Sequence, residues 1–525
     1  MKQHQRTPSR IRRATVSLAI AATFSLLAAG CAAPAPEVPT DELAADQTLV
    51  WGLSNTLQDI KAGADQGGVG YSVQSMVHAG LLRYDAEGKI SPDLAEKYEQ
   101  VDPKTYSFTL REGLEFSDGE PITSETVGAT LAYYGTPESG ARVRPGVSNI
   151  EEFEVTDDLN FTIHLGTNDA DFLQYLADPS AFIAPASALV PGAIAEIGAG
   201  PFLVDSKEAG VSTTLKKNPT FWDAENVTLE EVDLIFYVDA TARTNALLSG
   251  DVDLIDYVAW SDFDRIAATD GITLDAKPGS ILDLEFNAAE GPFSDPLVRQ
   301  AAAYAIDRDA VVATAFFGHA KPEYGVPLAV DSPFSSKLST DVFEYDPEHA
   351  KELLAEAGYP DGFSGTLLST NSQQFYMDAS QVVQANLAEV GIDVTIESPD
   401  FATRNERSAA GDYDIRFNGG GGIVSSPAWL GAWLGGPPQA RSFGYENADF
   451  FDAIADGRTA ENEQEAKKAY DNALKIYAED VPLVVLAQRE QGFAFKSTVK
   501  GFSTLPGFLA LYSAQTMANV SIVAE

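Results

Sequence analysis

The hydrophobic pattern changes period within one short run, Ile281 to Ala320, and predicts strand, turn and helix there in sequence. Leu282, Leu284 and Phe286 alternate with Asp283, Glu285 and Asn287, the period of a half-buried strand, until Gly291-Pro292 breaks it. Asp295 predicts a helix N-cap, with Pro296 at the first position, where a missing N–H costs nothing. Leu297, Val298, Ala301, Ala302, Ala305 and Ile306 recur at helical spacing as its buried stripe. Asp307 predicts a capped continuation that ends at Gly318.

The same signals punctuate the rest of the chain. Thr48 to Leu53 reads as a first strand, and Gly63 to Gly70, with four glycines, as a flexible loop before Tyr71. Tyr106, Phe108 and Leu110, then Phe161, Ile163 and Leu165, alternate as strand faces. Between them, Asp118-Gly119 predicts a turn and Thr123 a capped helix. Thr213 to Lys217 reads as a strand, Thr241 to Leu248 as a helix stopped by Gly250, and Asp251 to Asp256 as a brief strand leading into a loop from Tyr257 to Trp260. Asp346 and Pro347 open a helix with Ala350, Leu353, Leu354 and Ala357 on its stripe and Gly358 at its end. A helix carrying Ala379, Val383 and Leu387 precedes the strand Asp393 to Ile396, and one carrying Ala466, Tyr470, Leu474 and Tyr477 leads into the apolar strand Pro482 to Leu486. This alternation predicts an α/β protein, and no internal repeat is visible.

Length and charge narrow the class. A chain of 525 residues is too long for one core and suggests roughly two to four domains. Its 35 basic against 77 acidic residues give a net charge of −42, which disfavours nucleic acid and anionic lipid surfaces as partners. Such a field attracts cationic solutes, but a soluble, self-repelling surface is the favoured reading of it. The single cysteine, Cys31, follows a basic region (Lys2, Arg6, Arg10, Arg12, Arg13) and the apolar segment Ala14 to Ala29. Residues 1 to 30 are therefore expected to be an export signal. Leu27 to Cys31 resembles a lipoprotein cleavage box, with Ala28 where Leu is usual, so Cys31 is expected to become the lipidated first residue. Residues 31 to 46, rich in proline and without apolar period, then form a tether with a reach of roughly 3 Å per residue. Without Cys31 the folded part holds no thiol.

Several motifs resemble the family 5 solute-binding proteins of peptide and nickel ABC transporters. Phe286-Asn287, Pro292-Phe293 and the run Val298 to Arg308 match that family's strand, turn and helix. Phe116, Asp118, Gly119, Pro121 and Thr123 match a second signature, with Thr126 standing where Asp is usual. Gly198 to Phe202, Asn218 to Asp223 and Ala350 to Tyr359 match three more. The resemblance implies a periplasmic-binding-protein-like class II fold, two lobes with a hinge plus the extra domain typical of the peptide-binding cluster. It places domain I at 47–77, 195–278 and 486–525, domain II at 78–194, and domain III at 279–485. Pro278-Gly279 and the stretch near Ala487 become the hinge crossings.

Catalytic and metal constellations are hard to find. The five histidines, His4, His78, His164, His319 and His349, show no metal-ligand spacing, and there is no nucleophile elbow or cysteine pair. No metal, no cofactor and no enzymatic activity are therefore expected. The resemblance directs attention to Asp412-Tyr413-Asp414-Ile415, after which peptide binders usually carry a Trp and then an Asp that holds the peptide's α-ammonium. Here Gly420 stands at the Trp position and Ile423 at the Asp position, counting back from Pro427. A bulkier or less charged ligand end is expected, unless Asp400 or Asp412 supplies the anchor. Arg407 lies near the position of a carboxylate-binding Arg, with Arg404 as a rival. Tyr257, Trp260, Trp429, Asn371, Phe375 and Asn418 complete the candidate pocket, though for each aromatic core packing explains the residue equally well.

The expected function is an extracytoplasmic, lipid-anchored receptor that captures a peptide or peptide-like solute and delivers it to the permease subunits of an ABC importer. It would act as a monomer on the outer face of the cytoplasmic membrane. A receptor for a non-peptide solute or metal chelate, or a surface co-receptor or adhesin with the same fold, remains the alternative.

Overall fold

The computed structural model describes residues 42–64, 67–169, 171–330, 332–340, 342–436 and 441–524. Cys31, the signal and most of the tether lie outside the described residues. From Leu43 onward the chain packs as one unit.

Two long strands organise it. Ile272–Phe286 and Leu483–Lys496 run antiparallel side by side, with register shifts between Pro278 and Ile281 and between Leu282 and Asp283. They sit in the middle of an eleven-stranded sheet. On one side, Leu254–Ile255 and Thr48–Leu53 lead to Glu231–Phe236 and the hairpin Phe202–Glu208 and Ser212–Lys217. On the other, Ile415–Asn418, Phe363–Leu368 and Ile392–Glu397 follow, the last three parallel to one another. A separate antiparallel sheet of four strands, Ala95–Asp102, Thr105–Leu110, Asn160–Leu165 and Ile150–Val155, lies wholly within residues 78–194.

The apolar interior follows this division. Trp51, Phe202 and Leu234 share one cluster with Tyr106, Phe116 and Phe161, so the four-stranded sheet packs with the strands around Thr48–Leu53. Leu282, Leu284 and Phe286 enter a second cluster with Val298, Ala379 and Ile415, while Ile281 enters a third with Leu430, Tyr477 and Val485. Strand alternation explains the split. It also puts Asp283 and Glu285 on the Ile281 side, inside the protein rather than on the solvated face their polarity suggests.

Capping signals were obeyed. Asp295, Asp307 and Asp346 each accept from the backbone at a helix start, at Pro296–Ala305, Arg308–Ala315 and Pro347–Glu356. The expected continuation after Asp307 is a separate helix, because Ile306 between the two is extended at φ −100° and ψ 119°. The flexible loop expected at Gly63 to Gly70 gives way to the helix Gly67–Val77. There Val69, Tyr71, Val73 and Met76 are buried, and tertiary packing outweighs the low helix propensity of glycine. The strand expected to end at Leu486 runs on to Lys496, since its polar continuation keeps pairing with Ile272–Phe286. The expected strand at Asp251 begins later, at Leu254.

Candidate functional site

The most distinctive constellation lies beside the two long paired strands. Tyr257 follows the short strand Leu254–Ile255 with a left-handed φ of 43°. Arg243 holds that turn by donating to the carbonyls of Tyr237, Asp256 and Tyr257 at 2.7 to 3.0 Å. The Asp256 carboxylate lies 3.7 Å from the same guanidinium, and burial pushes its carboxyl up to about 6 against the pull of Arg243. Trp260 is fixed by its Nε1, which donates to the Glu490 carbonyl at 2.7 Å. Its ring meets Phe375 edge-on at 5.3 Å and Phe316 at 4.9 Å. Phe375 opens the helix Gln374–Glu389, so one aromatic wall comes from two distant parts of the chain.

Arg489, from the long strand Leu483–Lys496, lies against this wall. Its guanidinium is 5.0 Å from the Phe375 ring centre and 6.0 Å from that of Trp260, and its Nη2 donates to the Gly419 carbonyl at 2.6 Å. Arg489 is 9 % exposed, and no carboxylate among the described residues pairs with it.

The glycine run after Ile415–Asn418 closes against the same strands. Ile281 donates to the Gly421 carbonyl at 3.0 Å, and Ser280 bridges Gly422. A Cβ at Gly419 would stand 2.4 Å from the Tyr376 hydroxyl, and one at Gly421 would stand 2.4 Å from the Trp433 ring. Close approach therefore requires glycine at both positions. Gly420, where a Trp was looked for, is exposed and open around its Cα.

Behind the run sits a buried charge cluster. Arg416 pairs with Glu285, both fully buried, and the Asn418 amide donates to the Glu285 Oε1 at 3.2 Å. Asp283 is 0 % exposed, and neither of its carboxylate oxygens has a hydrogen-bond partner. Burial pushes the carboxyls of both acids up, and the Glu285 charge adds to the effect at Asp283 while Arg416 and Arg404 oppose it. Asn418 thus turns inward to Glu285.

The other nominated residues divide. Tyr257, Trp260 and Phe375 come together, with Gly420 and Ile423 on the adjoining run. Trp429 turns instead to residues 78–194, where its Nε1 donates to Gln174 at 3.1 Å and its ring lies 5.1 Å from that of Tyr175. Asn371 is exposed in a loop. Arg407 is engaged by Glu397 and Asp412. Asp400 caps its own helix at Thr403, so neither rival acid is free to serve the glycine run. Arg489 was missed by sequence reasoning. The run Gln488-Arg489-Glu490-Gln491 reads as a polar loop, and only its strand pairing turns Arg489 inward.

Residues 89–441 match the family model of the bacterial extracellular solute-binding proteins, family 5. The chain belongs to this family. The glutathione-binding protein GsiB of Salmonella paratyphi A is 28% identical over 452 residues, covering 83% of this chain and 88% of that one. Among solved structures, the binding protein AgaA of A. tumefaciens R10 in complex with agropinic acid is 36% identical with a TM-score of 0.83, covering 91% of this chain and 99% of that chain. Helicobacter pylori DppA in complex with the peptide STSA has a TM-score of 0.79 at 22% identity, covering 92% and 99%, a likeness of fold.

Family 5 proteins serve transport rather than catalysis. This chain is a bacterial extracellular solute-binding protein of that family. Among the described residues no helix is long and apolar enough to cross a membrane, and no group of three His, Cys, Asp or Glu side chains is placed to hold a metal ion.

Proposed function

We propose that this family 5 protein binds its solute without transforming it, in the cleft where Tyr257 and Trp260 face Phe375 and the glycine run. Its lobes, domain I at 47–77, 195–278 and 486–525 and domain III at 279–485, would close about the crossings at Pro278-Gly279 and Ala487, with domain II at 78–194 riding on domain I. Cys31 anchors the monomeric protein by lipid to the outer face of the cytoplasmic membrane, next to the permease subunits of its importer. The N-terminal basic and apolar pattern supports that anchor.

The observation that carries the ligand reading is that neither acid nominated as an alternative anchor is free. Ile423 stands where an α-ammonium partner was looked for, Asp412 is committed to Arg407, and Asp400 to its helix. A buried ammonium without a carboxylate is strongly disfavoured. The solute therefore lacks a free α-ammonium at that end: an N-blocked peptide or a non-peptide acid. AgaA, 36% identical and in complex with agropinic acid, supports the non-peptide form.

Thermal-shift titration with matched pools of free-amine and N-acetylated peptides tests this. The acetylated pool is expected to stabilise the protein at least as well as the free-amine pool, and saturation should contribute a few kcal/mol. Stabilisation by free-amine peptides alone would overturn the reading of Ile423. Deletion of the gene is expected to abolish uptake of the same solute, and unchanged uptake would point to a co-receptor instead.

A further inference from the structure

The buried arginines of this protein sort into two kinds. Arg308, 1 % exposed, donates to the carbonyls of Val485, Ala303, Ile306 and Phe343. Arg299 donates to those of Asp480, Val481, Phe293 and Ser294. Arg243 reaches three carbonyls and Asp256, and Arg416 pairs with Glu285. Each of these has fold-supporting acceptors, although the Nε of Arg416, like that of the buried Arg404, has none. Arg489 has one, the Gly419 carbonyl, and its flanks are two aromatic rings that accept no further in-plane hydrogen bond. A guanidinium carries five N–H donors, and those of Arg489 that the Gly419 carbonyl does not take are not sealed in the interior, so they can meet a solute.

The surroundings say what that partner is. Glu490, next along the strand, points to the opposite face, where it meets His319 at 3.3 Å. Gln491 returns to the Arg489 face. Tyr257, at the same wall, approaches the start of the helix Gly67–Val77: a Cβ on Gly68 would lie 2.8 Å from its hydroxyl. An eleven-residue helix directs the positive end of its dipole to that point. Two positive features and a phenol thus converge, and among the described residues no carboxylate pairs with Arg489.

We propose that Arg489 is the anion subsite of the cleft, taking a carboxylate of the solute in a charge-assisted fork while Phe375 and Trp260 hold the guanidinium plane. This rests on the reading of the cleft as the solute site. Together with the missing ammonium partner, it defines the ligand as a carboxylic acid without a free α-ammonium.

The test uses the full protein and its unfolding midpoint. It is titrated with N-acetyl amino acids and N-acetyl dipeptides bearing a free carboxylate, and with the same compounds as carboxamides. The acids are expected to raise the midpoint and the amides to bind roughly ten- to hundredfold more weakly. Arg489→Met is expected to lose the response to acids and to leave the midpoint without ligand nearly unchanged, because the fold loses one donor to a single carbonyl. Arg489→Lys should keep a weakened response, and Arg308→Met, which strips four carbonyls of their donor, should lower the midpoint outright. Equal binding of acids and amides, an unaltered response in Arg489→Met, or a fall in its midpoint like that of Arg308→Met would each overturn the subsite. If only free-amine dipeptides bind, whatever their C-terminus, the subsite falls and the cleft stands. If no compound binds, the subsite falls, and the uptake assay judges the cleft independently.

Discussion

Asp171 shows how much of this protein's chemistry lies in single residues that no motif announces. It is 6 % exposed, beside the fully buried Asp169, and burial first and the Asp169 charge second push its carboxyl up to about 7, with Arg458 opposing. The folded protein therefore keeps a proton that the unfolded chain gives up near pH 4. The resulting stability is fully present below about pH 4 and is lost as pH rises through about 7. Asp171→Asn is expected to remove that slope, gaining of order 2–4 kcal/mol over the natural protein at pH 8 and little at pH 4.5, as read by urea unfolding at the two pH values. Equal slopes in both proteins would refute the assignment. In the sequence, Asp169 and Asp171 are two acids among 77. Tyr257 and Phe375 were more legible, because aromatic residues in loops after strands draw attention, whereas Arg489 was hidden in a polar run. The absence of an acid at Ile423 was legible only through the resemblance, since composition says nothing about which acid would have been missed.

Among elements, helix starts were the most readable feature because a cap is a local contract between one side chain and the next turn. The helix Ser124–Gly135 shows it with two threonines: Thr123 accepts from the Thr126 N–H at 3.4 Å, and the Thr126 hydroxyl accepts from the Thr123 N–H at 3.2 Å. Thr126, which departs from the usual Asp, thus completes a capping box by itself. Thr123→Ala is expected to cost about 1 kcal/mol and Thr126→Ala about half as much, measured by chemical denaturation. Equal, negligible losses would show that the interior contacts of Val127 and Leu131 hold this helix without its cap. Elements defined by distant partners were less legible. The helix Gly67–Val77 looks like a loop until the residues it packs on are known, and the strand through Gln488 to Gln491 exists because Lys277 to Ile281 lies opposite.

For the whole molecule, the α/β class and the family followed from motifs that are long and closely spaced, but the contacts joining residues 78–194 to residues 279–485 were invisible in the sequence, since each unites single residues far apart. Arg458 donates to Asp169 at 2.7 Å, Asn168 to the Ala460 carbonyl at 3.3 Å, and Trp429 to Gln174 at 3.1 Å. None of them involves the paired strands Ile272–Phe286 and Leu483–Lys496, so they act as a separate fastening between the two stretches. Arg458 is the decisive member, because Asp169 is fully buried and this guanidinium is its ion-pair partner; without it, separation of the two parts rehydrates the Asp169 carboxylate. Arg458 itself is 33% exposed, which moderates the pair to about 1–2 kcal/mol. If closure presses these surfaces together, Arg458→Gln shifts the population to the open form and lowers the apparent affinity for solute roughly five- to thirtyfold. The radius of gyration of the ligand-free protein, measured by small-angle scattering, should rise in this variant and return when Asp169→Asn is added, since the neutral pair no longer drives rehydration. An affinity loss without expansion would locate Arg458 in the binding cleft rather than in the fastening, and no change in either quantity would refute the fastening.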